Sequence, residues 1–464
     1  MNGQGGLGVG VVSAEKPTLD DGRSSSDGAF AVPGVVVVFS GESPSFQFGA
    51  LREGVRRLGR GESLGLLHDA RLSREHGEII FDGQNWKVED LGSRNGTFVD
   101  GERVGKIPFV GRPKVIRMGQ TLILPVEDGT DALTLPLTHD NHIVAGPKLR
   151  RSLREIQRAA ESGHNVLLTG ETGSGKELGA NAFHAACAKR RGPLISVNCA
   201  TIPHGLAERL LFGAKRGAFS GATADSEGYV QSAEGGVLFL DEVGEIELEV
   251  QTKLLRVLET KEVTPLGATQ ARQVDVRFCF ATHRDLREAV ADAKFRPDLF
   301  YRIAQTEVKI PPLRDRLEEI PWHAAAELSR AAPEVRLSAE VLEACMLRPW
   351  PGNIRELLSE IRRAAYAISA TSAHTLRREH LLASAGTPAE STSKEKVGSA
   401  HMEAARPSGS VATPARDPRT ISPEELRAAM DKHRGVKEHV WRELGLPSRF
   451  ALHRLLKKHR LRAG

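Results

Sequence analysis

The stretch HNVLLTGETGSGKELGANAFHAAC, residues 164–187, constrains the fold more than any other part of this 464-residue chain. A short apolar run is followed by a Gly-rich turn and then by a helical stretch, so backbone N–H groups of the turn gather at a helix N-terminus. Gly170, Gly175 and Lys176 fit the spacing GxxxxGK, in which bare N–H groups cradle phosphates and the lysine neutralises the β- and γ-phosphates. Glu177 stands where a Ser or Thr ordinarily follows the lysine, so no hydroxyl metal ligand is supplied there. Further on, GGVLFLDEVGE (235–245) gives a fully apolar strand ending in Asp241 and Glu242. These carboxylates suit magnesium coordination and water activation, respectively. Two matched halves of one nucleotide site imply an α/β ATP-binding unit.

The rest of the chain divides around this unit. Residues 1–30 are rich in Gly, Ser and Asp and predict disorder; 127–138 reads as a short connector and 385–418 as a flexible linker without apolar period. Residues 31–126 carry VVVVF, SFQF, GEIIF, WKVEDL, GTFV and TLIL, short strands parted by Gly-rich turns, which predict a β-sandwich. Residues 419–464 predict three short helices. Twelve Lys/Arg against five Asp/Glu give this last unit a charge of +7 in a chain of net +5. The basic character therefore belongs to one end and points to a polyanion partner. Four widely spaced cysteines form no CxxC pair, and no apolar run is long enough to span a bilayer. A cytoplasmic chain with no membrane partner is expected.

The sandwich loops hold LGRGE (58–62), RLSREHGEI (71–79) and LGSRNGTFVDG (91–101). With these motifs in this order the unit resembles a forkhead-associated (FHA) domain. The resemblance implies that Arg60, Ser73 and Arg74 bind a phosphothreonine and Asn95 the ligand's main chain, with His76 bracing the loop. Guanidinium and hydroxyl donors converging on phosphate are consistent with that.

From about Ile143 to Leu382 the chain carries GETGSGKE, VNCATIP, LLFGAKRGAFSGA, GGVLFLDEVGE, QTKLLRVLE, DVRFCFATHRDL, KFRPDLFYRI, IPPLRDR and WPGNIREL. It resembles the sigma-54-dependent transcriptional activators, hexameric AAA+ ATPases in which Glu follows the phosphate-loop lysine. The resemblance implies a core at 139–313 and a helical lid at 314–384. It implies that Gly170, Glu171, Thr172, Gly173, Ser174, Gly175, Lys176 and Glu177 hold ATP with Mg2+ on Asp241. It further implies that Asn198 restrains Glu242, Thr282 senses the γ-phosphate, Arg296 and Arg302 act on a neighbouring subunit's ATP, and Arg355 monitors nucleotide from the lid. Gly217, Ala218, Phe219, Ser220, Gly221 and Ala222 resemble the family's GAFTGA loop, which contacts sigma-54, and this makes Phe219 an exposed contact. Ser220 replaces Thr, Leu210 and Ala214 replace Glu and His before the loop, and His283 replaces Asn beside Thr282.

The basic end resembles a Fis-type helix-turn-helix, with Arg449, His453 and Lys457 on one helix face for the major groove and Lys458 for phosphate. The expected chain is thus multidomain: FHA sandwich, α/β AAA+ P-loop ATPase with helical lid, and all-α DNA-binding unit. The implied partners are the sigma-54 RNA polymerase holoenzyme, enhancer DNA, a threonine-phosphorylated protein or Ser/Thr kinase, and further copies of the chain in a ring. The alternative is a DNA-bound regulator or phosphoprotein scaffold whose ATPase no longer opens promoters.

Overall fold

The strand Val166–Thr169 ahead of the Gly-rich turn is apolar because both its faces are buried. Leu167 packs on one side of the sheet, with Leu238, Leu240 and Phe280, while Val166 and Leu168 pack on the other, with Val237, Phe239 and Ala281. Strands buried on both faces read as continuous apolar runs, as in parallel sheets covered by helices. In the computed structural model, the described residues are 31–60, 69–140, 143–187, 192–220, 222–369, 374–388 and positions 425, 432, 440 and 444. The segment 1–30, most of 385–418, and Arg449, His453, Lys457 and Lys458 lie outside them.

Five parallel strands form the central sheet in the order Leu194–Asn198, Val237–Asp241, Arg277–Thr282, Val166–Thr169, Glu307–Lys309. This order aligns the C-terminal strand ends, so that Asn198 pairs in register with Asp241, and Thr169 with Thr282. Ligands of open α/β sheets bind at that edge. The lid follows as helices Ile320–Ala331, Ala339–Met346 and Asn353–Ser369 around Trp350, which is fully buried and donates its Nε1–H to the Cys345 carbonyl at 2.6 Å.

The N-terminal unit is a sandwich of two antiparallel sheets. One runs Ser43–Ala50, Gly34–Ser40, Thr121–Val126, Ile116–Met118, Thr97–Val99, Glu102–Arg103; the other runs Val55–Leu58, Gly77–Phe81, Trp86–Asp90, Phe109–Gly111. Val35, Val37, Ile79, Trp86, Val88, Ile116, Met118 and Ile123 fill its interior. An antiparallel strand with one wet face should alternate. Gly34–Ser40 does not, because its outward Val36 and Val38, with Leu122 and Leu124 of the neighbouring strand, pack into the same core as lid residues Leu328, Leu342 and Ala339. Polar contacts rim this joint. Arg117 Nε donates to Glu343 Oε2 at 2.6 Å, Gly101 N to Glu343 Oε1 at 3.1 Å, and Ala339 N to Gln120 Oε1 at 2.8 Å.

The connector 127–138 is more ordered than its composition predicts. It forms the helix Thr130–Thr134, and Thr138–Asp140 then pairs with Ile143–Ala145; Ala132 and Leu135 are buried. The apolar Ala132 and Leu135 outweigh the small polar residues around them. Cys187, Cys199, Cys279 and Cys345 are buried thiols. No helix among the described residues is long and apolar enough to cross a membrane.

Near this joint lies Glu318, whose carboxyl is raised from an ordinary 4.5 to about 7 by burial and by the charge of Glu319. A folded-state pKa above the unfolded one means the native chain holds a proton that the unfolded chain has lost between these values, so stability falls as pH rises through that window. Glu318→Gln removes that dependence. Its denaturation midpoint should exceed that of the unmodified chain at pH 8, and the gain should shrink on titration toward pH 5.

Candidate functional site

The phosphate loop is shaped by glycine where the backbone turns left-handed: Gly173 at φ 74° and Gly175 at φ 106°. A side chain at Gly173 would strike the Gly352 carbonyl of the lid, and Ile354 N donates to the Gly173 carbonyl at 3.2 Å. The lid thus rests directly on the loop. Lys176 opens the helix Lys176–Ala186, is buried, and folds its Nζ back to the Gly170 carbonyl at 3.0 Å. Ser174 is buried with no hydrogen-bond partner for its Oγ. A cleft of about 420 Å³ opens here, lined by Thr172, Lys176, Glu177, Asn198, Asp241, Glu242 and Arg355 among others. Strand ends, loop and lid therefore bring Thr172, Gly173, Gly175, Lys176, Glu177, Asn198, Asp241, Glu242 and Arg355 to one cavity, while Gly170 and Glu171 line another.

Charge inside this cleft is strongly coupled. Burial, then the neighbouring Glu242, pushes the Asp241 carboxyl above the ordinary range against the pull of Lys176. Glu242 Oε1 lies 3.8 Å from Lys176 Nζ, and Glu242 Oε2 lies 2.6 Å from His283 Nδ1. Asn198 Oδ1 accepts from Ala200 N at 3.0 Å, capping its own 3-10 turn, and the imidazole of His283 bonds Glu242 Oε2. Thr282 is fully buried, its Oγ1 accepting from Arg284 N at 3.0 Å.

Arg296 and Arg302 lie outside the cleft, at the start and end of the helical segment around Pro297–Ile303. Arg296 forks onto Asp298 at 3.0 and 2.7 Å, and Arg302 donates to the Leu258 carbonyl at 3.1 Å. Three residues behind the phosphate loop were not singled out by sequence. Arg314 forks onto Glu171 at 2.8 and 2.6 Å and holds that carboxyl below the ordinary range. Asn353 Nδ2 donates to the Thr172 carbonyl at 3.0 Å. Arg316, fully buried, bonds Glu319 at 2.9 Å and the Ser174 carbonyl at 2.7 Å. The strings IPPLRDR and WPGNIREL contain all three, but no local period says that they reach back to residues 171–174.

The segments Lys215–Ser220 and Ala222–Ser226 form a loop whose base is held by Lys215 N donating to the Leu266 carbonyl at 2.9 Å and by the Ala214–Ser226 bridge. Gly217 turns left-handed at φ 81° and donates its N–H to the Ala222 carbonyl at 2.9 Å, while Lys215 is paired with Asp225 at 2.6 Å. Ala218, Phe219 and Ser220 lie at its tip; Gly221 is outside the described residues. Phe219 is 37% exposed, with the Arg209 guanidinium 5.2 Å from its ring centre.

At the sandwich end, Arg60 N donates to the Ser73 carbonyl at 2.9 Å, and Ser73 N to His76 Nδ1 at 3.1 Å. Because Nδ1 accepts, the buried ring donates from Nε2 to the Gly96 carbonyl at 3.1 Å, tying two loops together. Ser73 Oγ accepts from Arg94 N at 3.1 Å, and Asn95 Nδ2 donates to the Arg71 carbonyl at 2.6 Å. Arg60, Arg74 and Asn95 are exposed.

Comparison with known families gives three matches in chain order: an FHA domain over 56–124, a sigma-54 interaction domain over 143–309, and an AAA+ ATPase lid domain over 314–397. The chain is 35% identical over 369 residues to the transcriptional regulatory protein ZraR of Salmonella typhimurium, covering 77% of this chain and 79% of ZraR. The chain belongs to the sigma-54-dependent transcriptional regulators. Within this family it is 48% identical over 218 residues to the nitric oxide reductase transcription regulator NorR1 of Cupriavidus necator and 42% identical over 226 residues to the transcriptional regulatory protein GlrR of Escherichia coli. The matched part spans 42% of NorR1 and 51% of GlrR, and 46% and 48% of this chain. This sigma-54-dependent regulator therefore carries an AAA+ ATPase core and lid behind an FHA sandwich.

Proposed function

We propose that the chain is an ATP-driven activator that binds enhancer DNA through its basic C-terminal unit and remodels a closed sigma-54 RNA polymerase complex to the open one. The observation that carries this is the single cleft shared by Lys176, Asp241, Glu242 and the lid residue Arg355. A lysine on the phosphates, a carboxylate for the metal and a second carboxylate to activate water are what phosphoryl transfer to water needs. Among the described residues no cluster of three or more metal-ligating side chains exists. One carboxylate, Asp241, fits Mg2+, which is ordinarily shared between one or two carboxylates and substrate phosphates. Bound there, the ion would neutralise charge on those phosphates.

In this reading Thr282 senses the γ-phosphate, and Arg296 and Arg302 reach from one subunit to the next subunit's ATP. Such arginines stabilise charge that develops during transfer, so a ring is the working form. Phe219 offers apolar area to sigma-54 from a loop tip that glycine lets turn sharply. Arg449, His453, Lys457 and Lys458 contact DNA. The sandwich adds a phosphothreonine input, with Arg60, Ser73 and Arg74 on the phosphate and Asn95 on the peptide backbone.

The deciding experiment mixes the chain, ATP, enhancer DNA and a sigma-54 polymerase closed complex, with non-hydrolysable nucleotide as control. Opening that depends on hydrolysis supports the activator. ATP turnover without opening replaces it with a DNA-bound regulator or scaffold. Arg60→Ala should weaken binding of a phosphothreonine peptide at least about tenfold, the scale of a lost hydrogen bond to a charged group, and leave ATP turnover unchanged. Calorimetric titration of the two chains checks this; equal peptide affinities would remove Arg60 from the site.

A further inference from the structure

We propose that His283 is the positioning residue of Glu242, turning one carboxylate oxygen away so that the other faces the phosphate side of the cleft. The inference rests on the reading of Glu242 as the group that activates water.

Glu242 sits in a left-handed backbone conformation, φ 53° and ψ 48°. That conformation carries a backbone cost of about 1 kcal/mol or more for a residue with a Cβ. A conformation of that kind sets the direction of the side chain but not the rotation of its carboxylate. Two neighbours do the rest. His283 Nδ1 and backbone N lie 2.6 and 3.3 Å from Oε2, while Oε1 lies 3.8 Å from Lys176 Nζ. An ionised carboxylate only accepts, so Nδ1 carries the donated proton. The two oxygens are thereby divided, Oε2 to His283 and Oε1 to the lysine.

The imidazole is well placed to hold this arrangement. It follows directly on the strand Arg277–Thr282, which is paired on one side with Val166–Thr169 and on the other with Val237–Asp241. Its backbone is therefore fixed by the same sheet that carries the acidic turn. His283 is 41% exposed at its side chain and Glu242 13%. The ring is not forced onto the glutamate by burial, since water could solvate it in another rotamer. Asn198, which the family pattern offers for this task, turns its Oδ1 to Ala200 N, while the bond at Glu242 Oε2 comes from His283. The backbone donor survives any substitution at 283, so the imidazole supplies the sequence-dependent part of the hold. An asparagine there can place an amide N–H near the position of Nδ1; an alanine cannot.

The test compares the full chain with His283→Ala, His283→Asn and Glu242→Gln in steady-state ATP turnover, with affinity for a fluorescent ATP analogue measured separately. His283→Ala should lower kcat about tenfold, within the ~10²-fold that a one-ångström misplacement can cause. KM and analogue affinity should stay within about twofold, and His283→Asn should recover most of kcat, because orientation acts on the reacting state and not on binding. A merely structural role would move KM and affinity as well, or leave asparagine as poor as alanine. Glu242→Gln inactive with His283→Ala at full rate or faster overturns the proposal alone. Equal turnover by the unmodified chain and Glu242→Gln overturns the assignment of Glu242 beneath it.

Discussion

Glu242→Gln should slow ATP turnover by about 10²–10⁴-fold, the usual contribution of a positioned acid–base group, and leave ATP binding intact. The amide matches the carboxylate in shape and can still accept from His283 Nδ1, which now lies 2.6 Å from Oε2. It cannot take a proton from water. The electrostatics of the cleft argue that binding survives. Asp241 is held above the ordinary carboxylate range first by burial and then by the charge of Glu242. Neutralising Glu242 removes the second cause, so Asp241 ionises more readily and offers a better ligand to a metal on the phosphates. ATP affinity in the presence of Mg2+ should therefore hold or tighten while turnover collapses. Parallel measurement of nucleotide binding and phosphate release checks both halves, and near-normal release would end the assignment.

The sequence speaks for whatever is local. The phosphate loop is six residues between a strand and a helix, so spacing alone exposes it. The apolar runs at 166–168 and 237–240 announce strands covered on both faces, and the sheet has them so. The strands Val55–Leu58 and Ile116–Met118 carry no clear sequence signal, being short and carrying arginines that interrupt any apolar pattern. The pairing of Glu242 with His283 joins residues 41 apart through strand order, which no window on the sequence contains. Arg314, Arg316 and Asn353 were hidden for the same reason. The joint between sandwich and lid did leave a trace. VVVVF lacks the alternation that a half-wet strand requires, and that excess of apolar side chains is spent on the lid.

That joint supplies the second large effect. Arg117→Ala should destabilise the sandwich and lid by about 3 kcal/mol, the low end for removing one member of a buried ion pair. Ile116 and Met118 point into the sandwich, so strand alternation turns Arg117 the other way. On an isolated sandwich it would be an ordinary solvated arginine. Here it is 13% exposed at its side chain, its guanidinium 3.8 Å from the centre of the Phe98 ring and bonded to Glu343, itself 4% exposed. Without Arg117, Glu343 keeps, among the described residues, the Gly101 N–H at 3.1 Å, too little to offset a buried charge. The loss therefore comes mainly from the stranded carboxylate and not from the attraction removed. Adding Glu343→Gln to Arg117→Ala should then recover part of the stability, whereas two independent losses would add. Urea unfolding of the single and double variants decides it: a double variant less stable than Arg117→Ala alone would mean that Glu343 is not stranded by the loss of Arg117.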